Sequence, residues 1–494
     1  MSASRFVCIP VLLFSLSSPF CIADAMAHSV ANSSAASMPA QANANKADSS
    51  HHGVRLPASF FAGNRARLLA ELKKMGPGTI AIIKSMPEQH RNGDSFHMYR
   101  QDSDFYYMTG IEEAESVAIL EADSDKPYTL LVRARDARRE RYDGARLGVE
   151  GAIKNGADKA DSFPAAEQTL KSKIQNAQRI VLVSNFDEDF RRKALDLIYP
   201  FGSDNNHSNF KKTLIDGRHM IAEMRVIKQD VEIDMLQRAV DATAAGHLAA
   251  MRASKHASNE GEVAAAFQGT VRGLGARFTG YDTIAGAGGN SCTLHYVTND
   301  AAIEKNGVML LDAGAEVGYY TADVTRTWPV TGKFSKEQKA IYELVLKAQN
   351  AAIALVKEGH LHHEGFDAAM RIMSDGLVDL GILKGDKDTL YKSGAYNRFT
   401  MHGISHWLGL DVHDAGDYFM EAGKRGGQRP LQAGMVLTVE PGIYIPKDAN
   451  DIDEKWRGIG VRIEDVLLVT KDGNRNMSGK LPRTVEAIEA AMAK

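Results

Sequence analysis

What the chain lacks narrows the reading first. It has only three cysteines in 494 residues. Two of them, Cys8 and Cys21, lie in an N-terminal leader, so processing would leave Cys292 alone. A single cysteine makes no internal disulfide, and a chain of this length can rely on a buried core instead. An excess of one charge is also missing. A formal net charge of −3 gives no electrostatic reason to expect nucleic acid or an anionic membrane as partner. Beyond the leader no apolar run reaches the ~20 residues that a spanning helix needs. There is no P-loop and no G-x-S-x-G motif, and Gly286–Gly289 does not complete a dinucleotide fingerprint.

The leader itself has a pattern. Arg5 supplies a positive start, Phe6 to Phe20 is apolar with Ser15, Ser17 and Ser18 in it, and Ala25-Met26-Ala27 fits a small-residue cleavage site. Residues 1–27 therefore read as a secretory signal peptide, and export to the periplasm or the cell exterior is expected. Residues 28–56, rich in Ser, Ala and Asn, read as a disordered linker that includes His51-His52. From 57 to about 205, helical and strand patterns alternate: Asn64–Met75 is amphipathic, and Thr79–Ile83 and Tyr128–Val132 are short apolar runs. An N-terminal α/β domain is expected there, with Ser203–Phe210 as its polar boundary. Its segment Asp94–Gly110, dense in aromatics and charges, suits a surface that closes over a neighbouring site.

After 206 the helices lengthen. Asp230–Ala253 carries apolar residues at helical spacing, and Ser335–Gln338 forms a capping box before another buried stripe. His360, His362 and His363 follow without a carboxylate cluster, and a solvated loop is expected.

The chemistry concentrates in the last third. Met401–Asp417 places His402, His406 and His413 within twelve residues, and histidine is the commonest metal ligand. Asp312 ends the apolar run Gly307–Leu311, and Asp323 lies on the return after Gly318. The two indices sum to 635, so a hairpin centred between Val317 and Gly318 would set them opposite each other. Glu440 and Glu464 repeat the construction with a sum of 904 and a turn near Ile452. Arg462, two residues before Glu464, shares its face. Close carboxylates repel unless a proton or a metal lies between them. Two Asp, two Glu and one His suit Mn²⁺, with Zn²⁺ or Co²⁺ also possible, and two ions ~3.5–4 Å apart would balance four acids.

These residues resemble the pita-bread metallopeptidase family. The order Asp312, Asp323, His406, Glu440, Glu464 is similar to its five-ligand signature. The strings HGISHWLGLDVHDAG, EPGIYI and GVRIEDV, with NSCTLHY and DSFHMYRQDSDFYYMTG upstream, resemble its Xaa-Pro aminopeptidase branch. The resemblance implies an α+β protein: an N-terminal domain (57–205) followed by a pita-bread catalytic domain (206–494) with two pseudo-symmetric halves. It also implies that Asp323 and Glu464 bridge two divalent ions, that Asp312 holds one, and that His406 and Glu440 hold the other. Glu440 would serve as base for a bridging hydroxide that attacks the carbonyl before proline. His402, His413 and His295 would line the substrate pocket, and Arg462 and Tyr281 would support Asp312. The implied partners are peptides with proline second, and further copies of the chain in a homo-oligomer (dimer or tetramer). Tyr142 departs from the pattern: the bacterial branch tends to carry tryptophan there, in a neighbouring subunit's pocket.

Three rivals are weaker. A prolidase-like dipeptidase would take only Xaa-Pro dipeptides, and the spacing of His402 to SHW favours the aminopeptidase. A non-catalytic binding protein on the same fold would lack ligands, and none is missing. A creatinase-like hydrolase would lack the five-ligand set.

Overall fold

The computed structural model describes residues 55–199, 212–420 and 427–493. The expected signal peptide, the linker except its last two residues, His51-His52 and the boundary stretch Ser203–Phe210 lie outside them. The described residues form one compact unit.

Its N-terminal region is built on a six-stranded sheet in the order Lys159–Ser162, Tyr128–Val132, Val117–Glu121, Thr79–Lys84, Arg179–Val183, Thr213–Asp216. The central strands Thr79–Lys84, Tyr128–Val132 and Arg179–Val183 are Ile-, Leu- and Val-rich and buried at every position but Arg179, as strands covered on both faces must be. The helix Ala58–Lys74 starts earlier than its amphipathic pattern suggests. Phe60 and Phe61 extend it because they pack edge-on against Tyr107 and Tyr106. Within Asp94–Gly110, Asp102 caps the helix Ser103–Thr109 by accepting from Phe105 N, and every residue of that helix is buried.

The C-terminal region uses one arrangement twice. The helices Asp230–Ser254 and Glu260–Gly273 pack together near the antiparallel sheet Ile284–Ala287, Val308–Asp312, Thr325–Pro329. The helices Lys336–Ala354 and His362–Asp379 do so near Val436–Val439, Asp465–Thr470, Gly473–Asn476. The capping box is formed: Ser335 N donates to Gln338 Oε1 at 3.0 Å and Gln338 N to Ser335 Oγ at 3.1 Å, a cap worth about 1 kcal/mol.

The two acid-bearing hairpins differ in how well their pairing was anticipated. Val439 pairs with Asp465 and Gly442 with Arg462, which is the expected register and sets Glu440 opposite Glu464. In the other hairpin Val317 pairs with Tyr320 and Asp312 with Thr325. The turn is Gly318-Tyr319, with φ of 57° and 73°, as a two-residue hairpin loop of the tight kind requires. The turn centre therefore lies one residue later than expected, and Asp323 sits diagonally from Asp312, not directly opposite. A shift of two residues in register leaves every side chain on its original face, so both aspartates still point to one side. Gly314 lets the strands close there: a Cβ on it would lie 1.7 Å from the Ala322 carbonyl oxygen.

A second correction concerns the histidines after Lys336–Ala354. His362 and His363 open the helix His362–Asp379. His362 is not solvated; its ring packs 5.4 Å from Trp407 and 4.8 Å from Tyr418.

Candidate active site

All four acids stand where a long strand is interrupted. Asp312 ends Val308–Asp312, Asp323 falls between Tyr320–Thr321 and Thr325–Pro329, Glu440 precedes Gly442–Ile445, and Glu464 separates Ile459–Arg462 from Asp465–Thr470. At these interruptions the side chains leave the flat faces of the sheets and turn into one cavity of about 880 Å³. Cross-links fix the two hairpins to each other. Thr325 Oγ1 donates to Glu464 Oε2 at 2.8 Å, Glu464 N donates to Thr325 O at 3.1 Å, and the fully buried Arg326 donates to Asp465 Oδ1 at 2.7 Å.

Asp323, His406 and Glu464 come closest together. One ligand atom from each lies within 4.8 Å of the others. His406 Nε2 is 3.3 Å from Asp323 Oδ2 and 3.6 Å from Glu440 Oε1. Its Nδ1–H donates to the Trp407 carbonyl at 3.0 Å, which leaves the Nε2 lone pair facing the acids. Asp312 joins through Tyr281, whose hydroxyl bonds both Asp312 and Asp323. On its other oxygen Asp312 accepts from Arg462 Nη2 at 2.6 Å.

Burial and mutual repulsion push Asp323, Glu440 and Glu464 well above the ordinary carboxylate range. Carboxylates so placed ionise together only beside compensating positive charge, and Arg462 is one cation. Hard oxygen donors with one imidazole therefore fit divalent ions well.

The pocket histidines differ in setting. His402 is held in a relay. Arg462 Nη1 donates to Tyr444 Oη at 2.9 Å, Tyr444 OH donates to His402 Nε2 at 2.7 Å, and His402 Nδ1–H donates to the Gly403 carbonyl at 2.6 Å. Burial and then the charge of Arg462 push its pKa down to about 4, so it is neutral near pH 7. His402 Nδ1 lies 3.8 Å from Glu440 Oε2. His413 stacks on His406 at 3.9 Å with planes 6° apart, and His295 lines the same cavity. The metal-ligand and pocket residues expected from sequence thus line one cleft; Tyr142, 83% exposed, does not, and neither does the segment Asp94–Gly110.

Two residues here escape sequence reasoning: Tyr444, which stands behind the lining and bonds His402 and Arg462, and His362, which lines the cavity. Tyr444 lies inside the EPGIYI string, but nothing in that string shows its hydroxyl bonding both Arg462 and His402. His362 lines the far wall with Tyr418, Phe419 and Gln428; the His-His pair was visible, but its packing partners lie more than forty residues away in sequence.

A model of metallopeptidase family M24 matches residues 234–471, and one of the aminopeptidase P N-terminal domain matches 61–182. An Xaa-Pro aminopeptidase of Haemophilus influenzae is 39% identical over 89% of this chain and 98% of its own length. The chain belongs to metallopeptidase family M24, in its aminopeptidase P branch. The solved Pseudomonas aeruginosa aminopeptidase PepP superposes with a TM-score of 0.84 at 40% identity, covering 89% of this chain and 98% of that one. A zinc-substituted Escherichia coli aminopeptidase P in complex with product gives 0.83 at 37% identity, covering 89% and 99%. Two M24 features, the pita-bread fold and the two-part layout, accordingly hold for this chain, and membership implies divalent metal ions.

Proposed function

We infer that the protein is an Xaa-Pro aminopeptidase, a metallopeptidase that removes the first residue of peptides with proline second. The convergence of Asp312, Asp323, His406, Glu440 and Glu464 on one cavity carries this reading. Asp323 and Glu464 would hold both ions, Asp312 one of them, and His406 with Glu440 the other. When bound, two divalent ions lower the pKa of a water and polarise the scissile carbonyl.

The chain's own groups do the rest. Arg462 and Tyr281 orient Asp312. Glu440 accepts the proton of the attacking water. His413 or His295, at the open side of the cleft, stabilises the carbonyl oxygen as charge develops there. Proline's nitrogen carries no hydrogen, so as it leaves it takes a proton from one of these histidines or from water. The free α-amino group of the first residue docks beside the acids, which limits cleavage to one residue.

Manganese is the proposed metal, a reading supported by the oxygen-rich donor set. Export and leader removal are proposed from residues 1–27. A homo-oligomer, dimer or tetramer, is proposed from the family resemblance, from which Tyr142 departs.

The test uses the purified mature chain with measured metal content and a ladder of Xaa-Pro-Yaa peptides. Release of the first residue from tripeptides and longer is expected, with about two ions per chain. Cleavage confined to dipeptides would make it a prolidase, and a metal-free, inactive protein would make it a binding module.

A further inference from the structure

Among the described residues no hydrogen bond holds the His413 imidazole; its place is set by the loop Gly409–Asp414 beneath it and by the stack on His406. That loop is gripped from the N-terminal region, some three hundred residues earlier in the chain. Ser103 Oγ donates to Asp411 Oδ1 at 2.7 Å. Arg100 Nη2 donates to the Leu410 carbonyl at 2.6 Å, while its Nε donates to Glu316 Oε2 at 2.6 Å. Arg225 spans the junction: Nη1 donates to Asp104 Oδ1 at 2.7 Å, and Nη2 to Asp411 Oδ2 at 2.6 Å and to Asp414 Oδ1. Lys228 Nζ donates to Asp414 Oδ2 at 2.9 Å.

Asp104, Arg225, Lys228 and Asp414 are each no more than 7% exposed. Buried charges are tolerated only when paired, and removing one partner strands the others. The network therefore has one low-energy arrangement, and Asp411 and Asp414 flank His413 within it.

We propose that Ser103, bonded directly to Asp411, and Asp104, acting through Arg225, are positioning residues of the N-terminal region that fix His413 over the cleft. The N-terminal region is then part of the catalytic apparatus although none of its residues lines the cavity. The proposal rests on the reading of His413 as a group that faces substrate.

A double-mutant cycle on the metal-loaded full-length enzyme tests it. Asp104→Ala is expected to lower kcat by about 10- to 100-fold, with metal content unchanged. In a His413→Ala background the same substitution should cost less than about twofold, because the residue it positions is already gone. Ser103→Ala should show the same coupling with a smaller loss, and Asp104→Asn, which can still accept from Arg225, should recover part of it. Losses that multiply independently of His413, or an Asp104→Ala enzyme with full kcat, would overturn the proposal. Full activity in His413→Ala alone would instead sink the role assigned to His413, and the proposal with it. If Asp104→Ala does not fold, Ser103→Ala and Asp104→Asn carry the cycle to the same decision.

Discussion

The hairpin that carries Asp312 and Asp323 turns in two residues, Gly318 and Tyr319. The one that carries Glu440 and Glu464 turns through Pro446 to Gly458, with a short helical turn at Glu454–Trp456. Yet each delivers two acids to the same cavity. In the first the register is held by two consecutive left-handed residues, and the Tyr319 ring stacks on Tyr106 at 3.8 Å. In the second the turn imposes nothing comparable, and register is held by the buried strands and by Arg326, which ties Asp465 to the first hairpin. The lesson is that a pair of acids aimed into one cavity needs a fixed register, and that turn geometry and cross-sheet bonding are interchangeable ways to fix it.

Four experiments sharpen or break that comparison. The largest effect should come from the acids themselves. Asp323→Ala in the tight hairpin and Glu440→Ala in the open one should each lower kcat by about 10²–10⁴-fold or more, as should His406→Ala. Circular dichroism should show each variant folded. Near-normal turnover in any one would remove that residue from the ligand set, and a loss confined to one hairpin would break the equivalence. Next, chelation should abolish activity and Mn²⁺ should restore it. Because ions bind only the folded site, the chelated protein should also melt lower, by the equivalent of about 2.7 kcal/mol if ions had been present at 100 times their Kd. A melting curve indifferent to chelator would contradict a site shared by both hairpins.

Third, Arg462→Lys should cost about 10- to 100-fold in kcat/KM. One ammonium cannot replace a guanidinium that bonds Asp312 and Tyr444 through separate nitrogens. Retained activity would mean that the charge alone suffices. The smallest effect is on stability. Gly318→Ala should destabilise by about 1–2 kcal/mol, because alanine resists φ of +57°. Asn450→Ala, exposed in the long connection, should change stability by less than about 0.5 kcal/mol. Equal shifts in thermal unfolding would show that the two turns are not used differently.

Much of this was legible because the acids sit in apolar, strand-like runs. The register of Glu440 with Glu464 followed from counting, since a loose connection leaves strand pattern in control. The register of Asp312 with Asp323 did not. Counting centres the turn between Val317 and Gly318, and nothing local announces that Tyr319 will also adopt a left-handed conformation; its stack on Tyr106, over two hundred residues away, accompanies it. His362 was misplaced for a related reason. A His-His pair after a polar loop looks solvated until Trp407 and Tyr418 are brought against it. The network around Arg225 left no trace in periodicity, because its partners are more than a hundred residues from it in sequence. Residues that act within a segment can be read from it, whereas those that join segments need the fold.

The long connection has a use beyond catalysis. Lys447, Asp448, Asn450 and Asp451 lie exposed on it, and no acid of the site depends on its length. New chain ends could be opened there, with the old ones joined by a linker, and the rearranged polypeptide would still bring Glu440 and Glu464 face to face. The two-residue turn at Gly318 offers no such freedom: one inserted residue there would rotate Asp323 to the opposite face of its strand.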